Sequence, residues 1–250
     1  MTGGYLETSI RTSHVRPLIA FREYVFRDVL RAFDNLSERA NQLANDYFQQ
    51  VNSQPCGEYE EMDLGGVADT ANERDVGWYQ MMTSIHQSMM NLVAAGLFHL
   101  LEQQLGALSR DASFSAFPLK ETKLDKIVRW YQGVLGLDLA SLPSWATIDE
   151  LRLVANAVKH AEGSAARSLR VSRPELFFDP ALEVQRLELI AFGIESQPGP
   201  ISAPLSGEDF FVTEALLKTY AEASESFLNE IADYFREHGD TRYPLARLPA

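Results

Sequence analysis

The sequence predicts an all-α protein, an antiparallel helical bundle of about five long helices with a small non-helical or β-ribbon insertion before the last helix. Three observations predict it. Apolar residues recur at steps of three and four over long stretches. Residues suited to starting or stopping helices, namely Pro17, Thr147, Gly163 and Thr213, bracket those stretches. Of the 250 residues, 46% are hydrophobic, enough for a packed core and too many for global disorder. Helices joined by connectors of this size usually pack antiparallel. The length suits one domain over residues 1–250, with the irregular insertion at about 178–212.

The first helix is expected from Pro17 to about Val51, on the spacing of Ile19, Phe21, Val25, Val29, Leu30, Phe33 and Leu36. Residues 52–70 are rich in Gly, acids and turn formers and read as a loop. Asn72 can cap a second, long helix to about Ser109, with Trp78, Met82, Ile85, Met89, Leu92, Val93, Leu97, Leu101, Leu105 and Leu108 as its stripe. A connector with Pro118 leads to a third helix over about Thr122 to Leu135. Thr147 and Glu150 form a capping box for the fourth, which runs to Glu162 with Gly163 as the left-handed stop. A short basic helix fits 164–171, before Pro174. In 178–212 the run from Leu182 to Phe192 permits a strand that Phe210 to Val212 could pair with. Thr213 caps the last helix, to about His238.

Charge and cysteine usage narrow the function. A net charge of −13 argues against coating nucleic acid by bulk charge, though not against a small basic site. The single cysteine, Cys56, rules out an intrachain disulfide framework or a cysteine-based zinc site, and the composition fits a reducing, cytoplasmic setting. Residues 1–15 carry no secretory signal. Val76 to Leu101 lacks Asp, Glu, Lys and Arg, but Gln80, Ser84, His86, Asn91 and His99 would be costly in lipid. It is expected as a central, mostly buried helix of a non-membrane protein.

The informative text lies between Asp149 and Arg173. At about 100° per residue, Arg152, Asn156, Lys159 and His160 fall in one polar wedge, while Leu151, Val154, Ala155 and Val158 fill the apolar arc. His can move a proton near neutral pH, Lys and Arg can neutralise phosphate, and Asn can donate and accept. That set suits attack on a phosphodiester by the adjacent 2′-hydroxyl, which needs no metal. The segment carries about two net positive charges against the acidic remainder. Its further basic contacts would be Arg167, Arg170 and Arg173. The wedge by itself is also what any amphipathic surface helix shows.

The order of segments resembles the HEPN superfamily (higher eukaryotes and prokaryotes nucleotide-binding domains). A long helix ends in a leucine-rich run with an acid, Leu100 to Leu105 around Glu102. A Trp-containing turn follows at Trp145, then a helix of the type L-R-x-x-x-N-x-x-K-H over Leu151 to His160, and then Gly163. The resemblance covers about residues 75–175. It implies a metal-independent endoribonuclease of toxin–antitoxin or phage-defence type, acting as a homodimer, with His160, Asn156, Lys159 and Arg152 catalytic, Glu102 supporting, and RNA or a nucleotide as ligand. An antitoxin or other defence protein would be its partner, and no metal or cofactor is expected. In the family's Arg-Asn-x-x-x-His pattern Asn156 and His160 match, but Ala155 stands where the arginine is usual, with Val154 and Leu153 in the other slots. Arg152 or Lys159 would have to supply the charge. The alternative is a catalytically degenerate binding or assembly module.

Two further readings concern the second helix. His99 and Glu102, at i and i+3, have a spacing that can chelate a metal, but no second such element is found on another helix. Glu102 is better read as a half-buried acid paired with a base such as Arg152.

Overall fold

The computed structural model describes residues 3–53, 63–110, 119–121, 123–194 and 197–242; Cys56, Pro118 and Thr122 lie outside them. The described residues are helical without a strand, so the class is all-α. Helix α1 (Gly3–Ser9) continues through a π-helical segment, Ile10–Val15, into α2 (Arg16–Tyr24). A second π segment, Val25–Val29, and a 3-10 turn, Leu30–Phe33, complete a nearly unbroken rod. Helix thus begins well before Pro17, which occupies the first turn of α2 only. It also stops earlier than expected, at Asn35, whose φ of 56° reverses the chain. Asparagine is among the few residues that tolerate this conformation.

Helix α3 (Leu36–Asn52) then runs back along α4 (Leu64–Leu108). Arg39 sits 5.3 Å from the ring centre of Trp78, and Arg74 sits 4.0 Å from that of Tyr47, so the two helices are antiparallel. Helix α4 starts eight residues ahead of the expected cap at Asn72, because Asp63 caps it by accepting from the Gly66 N–H at 3.0 Å. Its 45 residues make a rod of about 67 Å. Within α4, Ala71 is the one residue buried before Met90, and Val76, Tyr79, Met81 and Ile85 are exposed. The expectation of a mostly buried central helix therefore holds only from Met90 onward. The amino-terminal half packs on the slender α3 instead, and even Leu92 faces solvent. No described helix is long and apolar enough to cross a membrane.

The remaining helices are α5 (Leu124–Trp130), prolonged by a π segment over Tyr131–Leu135, α6 (Trp145–His160), α7 (Ser164–Ser172), α8 (Glu183–Ala191) and α9 (Glu214–Arg242). Leu97, Leu101 and Leu105 of α4, Ile148, Leu151, Val154 and Val158 of α6, and Phe227, Ile231 and Phe235 of α9 are buried in one core. Arg11 bonds Asp233 at 2.9 Å and Arg22 bonds Glu225 at 2.7 Å, so α9 runs opposite to the amino-terminal rod. Thr213 caps α9 as expected, its hydroxyl accepting from the Leu216 N–H at 3.2 Å.

The capping box does not form. Helix α6 begins at Trp145, which puts Thr147 inside it. Glu230 of α9 accepts from the Ser144 N–H at 3.2 Å and from its hydroxyl at 2.6 Å, setting a carboxylate at the positive end of α6. Glu150 is occupied elsewhere, bonded by Arg173 and by the Tyr220 hydroxyl. The stop also moves. Gly163 is extended, and Ala161 carries the positive φ, at 53°.

The ribbon expected within 178–212 is absent from the described residues. Leu182 to Phe192 holds α8 instead, in a segment of Glu, Gln, Arg and Leu with an Arg186–Glu183 pair at 2.6 Å across one turn. The partner segment has no free ladder, since the Phe211 N–H bonds the Leu176 carbonyl at 2.8 Å and Asn91 of α4 takes the Phe210 carbonyl and the Val212 N–H. From 197 to 212 the chain is irregular and lies on α4. At Gly207 it passes so near α4 that a Cβ would overlap the Ser84 carbonyl oxygen. Glycine alone permits that contact.

Candidate active site

Helices α4 and α6 and the start of α5 enclose a cleft of about 830 Å³. Arg152, Asn156, Lys159 and His160 all line it from α6, and Glu102 lines it from α4. The four residues that the wheel places in one wedge thus share a cleft, and Glu102, which the resemblance adds to them, lines it from the facing helix. The opposite arc of α6 explains the placement, because Leu151, Val154, Ala155 and Val158 are buried and hold the polar wedge outward. The Ala155 slot is 1% exposed and faces the core, so it has no access to the cleft, whereas Arg152 does.

The cleft adds His99, Lys123, Asp125, Trp145 and Asp149 to the expected set. Its cations Lys123, Arg152 and Lys159 stand against the carboxylates of Glu102, Asp125 and Asp149, so it is close to balanced within a strongly acidic molecule. Arg152 donates to Asp149 at 2.7 Å, one turn back on its own helix. Glu102 is therefore not its partner. Glu102 accepts from the Leu124 N–H at 3.1 Å through one oxygen, and its other oxygen is 3.1 Å from His99 Nδ1. His99 Nε2 lies 3.0 Å from Lys159 Nζ. An ammonium can only donate, so Nε2 accepts and the ring proton resides on Nδ1, where it is donated to Glu102. The spacing of His99 and Glu102, which could also have served a metal, here makes an acid–imidazole pair. Among the described residues no group of three or more His, Cys, Asp or Glu side chains could hold a metal ion.

Asn156 and His160 make no side-chain hydrogen bond to the described residues, and His160 is exposed at the end of α6. The positive φ of Ala161 immediately follows it. Arg167, Arg170 and Arg173 do not line the cleft. Arg170 is bonded bidentately by Glu162, at 2.6 and 3.0 Å, and Arg173 is bonded by Glu150 and Glu175. Arg167 is exposed on α7. The basic excess visible in the sequence is thereby reduced, in space, to Lys159 and Arg152 at the cleft.

Sequence reasoning considered His99 only as one half of a chelate. Its membership of the cleft depends on α6 crossing α4 at Lys159, a contact between residues far apart in the chain. Comparison with family models, curated proteins and solved structures finds no match for this chain.

Proposed function

We propose that the protein is a HEPN-like, metal-independent endoribonuclease of toxin or phage-defence type that works as a cytoplasmic homodimer. The observation that carries this reading is the convergence of Arg152, Asn156, Lys159, His160 and Glu102 on one cleft. The chemistry is transesterification at a phosphodiester. His160 transfers a proton, Lys159 and Arg152 offset the charge that builds on the non-bridging oxygens, and Asn156 orients the ribose or phosphate by donating and accepting. The test is cleavage of tRNA and single-stranded RNA in EDTA. Cleavage by the wild-type chain is expected, with a loss of about 100-fold or more in His160→Ala. Intact RNA, or an unchanged rate in the variant, overturns the reading.

A second reading has an observation of its own. Arg152 is engaged by Asp149, and no arginine occupies the usual motif slots. A cleft so restrained suits a degenerate module that binds a nucleotide, RNA or a protein partner without turnover. It predicts no cleavage by wild type, together with weakened association in Asn156→Ala.

A further inference from the structure

We infer that the cleft holds a complete acid–base pair within one chain: His99, oriented by Glu102, is the base that deprotonates the 2′-hydroxyl, and His160 is the acid that protonates the leaving oxygen. The inference rests on the ribonuclease reading and adds to it a second catalytic residue, a positioning residue and a division of labour.

The geometry is that of an activated base. Glu102 is fixed by the Leu124 N–H at 3.1 Å and in turn holds His99 Nδ1 at 3.1 Å. This leaves Nε2 as the acceptor, on the ring edge that meets Lys159. A carboxylate that orients an imidazole and fixes its tautomer is the arrangement that activates a base, and here the accepting nitrogen meets a cation within the cleft. The ammonium 3.0 Å from that lone pair adds a constraint on the substrate. The group to be deprotonated must lie beside an anion that Lys159 can neutralise. In RNA the 2′-hydroxyl and the 3′-phosphate meet that condition, being neighbours on one ribose. As the phosphate enters, Lys159 turns to it and frees Nε2 for the hydroxyl. His160 is the next residue on α6, exposed and without a side-chain bond to the described residues.

The step balances without an oxidant or a metal. The 2′-hydroxyl proton passes to His99 Nε2, the 2′-oxygen bonds to phosphorus, and the bond from phosphorus to the 5′-oxygen breaks. The His160 imidazolium gives its proton to that oxygen. The products are a 2′,3′-cyclic phosphate and a 5′-hydroxyl end, and both rings are reset by exchange with water.

The experiment uses the full chain in EDTA, with an RNA oligonucleotide and its analogue carrying sulfur at the 5′-bridging position of one linkage. A thiolate leaves without being protonated. His99→Ala and His160→Ala are each expected to slow cleavage of the ordinary oligonucleotide by about 100-fold or more. The sulfur analogue restores His160→Ala and leaves His99→Ala slow. The wild-type rate–pH profile is bell-shaped, with its acid limb flattened in His99→Ala and its alkaline limb flattened in His160→Ala. Glu102→Gln, whose amide would donate to Nδ1 and drive the ring proton onto Nε2, lowers kcat with KM little changed. Coexpressed His99→Ala and His160→Ala chains recover nothing, since each cleft lacks one histidine.

Full activity in His99→Ala, rescue of His99→Ala by the sulfur analogue, or recovery in the coexpressed pair each overturns the inference while leaving the ribonuclease reading in place. Failure of the wild type to cut either substrate overturns both. Because the His99 side chain is 41% exposed, its replacement leaves the core intact, and His99→Gln with an unchanged melting curve guards against misfolding.

Discussion

Asn91 is fully buried on α4 and fills every hydrogen-bonding position it has. Its amide donates to the Ser206 and Phe210 carbonyls, each at 2.7 Å, and its carbonyl accepts from the Val212 N–H at 3.2 Å and from Gln87 at 3.1 Å. One side chain thus substitutes for the ladder that the 197–212 segment lacks. Asn91→Leu matches its size but strands two carbonyls and one amide. At roughly 1–3 kcal/mol for each buried unsatisfied group, a loss of about 3 kcal/mol or more in unfolding free energy is expected, measurable by urea titration. A loss under about 1 kcal/mol would mean that water reaches these groups. In the sequence Asn91 is legible only as polar load in a charge-free run. Apart from Gln87, one turn back on the same helix, its partners lie more than a hundred residues away, so no local pattern could assign them.

At the scale of elements, the sequence locates helices better than it locates their ends. The apolar arc of α6 is found where periodicity puts it, because a helix buried on one side must repeat at its own pitch. The ends depend on partners. Ser144 rather than Thr147 begins α6 because Glu230 arrives from α9, and α8 is a helix because Phe210 to Val212 is already bonded elsewhere. The far end of α6 carries strain that a sequence reading would assign to Gly163. Ala161 has φ 53° and no glycine freedom. Ala161→Gly is expected to raise the stability of the protein by about 1 kcal/mol, seen as a higher melting temperature. An unchanged or lower melting temperature would show that the lost methyl contacts outweigh the relief. For the site, the four wedge residues are legible from spacing and Glu102 only through the resemblance, whereas His99 as their companion depends on the crossing of α4 and α6.

Over the whole molecule, acidity and architecture are linked through the carboxylates that bind the irregular segment. Arg170 donates to Glu162 and holds its carboxyl below the usual range, with the Ile201 N–H adding to the effect. Ser202 does the same for Asp209, helped by its own N–H and by Ser206. A carboxyl whose value is lowered by folding stabilises the native state fully above its unfolded value and loses that contribution as the pH falls through its folded value. The reference values are 4.5 for Glu162 and 3.8 for Asp209, so the loss begins as the pH falls below about 5 and grows below 4. Melting temperatures followed from pH 6 to about 3 should fall more steeply in the wild type than in a Glu162→Gln, Asp209→Asn double variant. Parallel curves would place the acid sensitivity in other carboxylates.

The length of α4 has a mechanical meaning. Its exposed half stands out with α3 for company, and its buried half carries His99 and Glu102 into the cleft, with no proline between them. A helix without a proline kink curves gently rather than hinging. The core around Leu97 to Leu105 fixes one end of it, and the α3–α4 arm extends from that anchor. The same uninterrupted helix thus carries the α3–α4 arm and the His99 side chain that meets Lys159, so whatever grips the arm also grips one wall of the cleft.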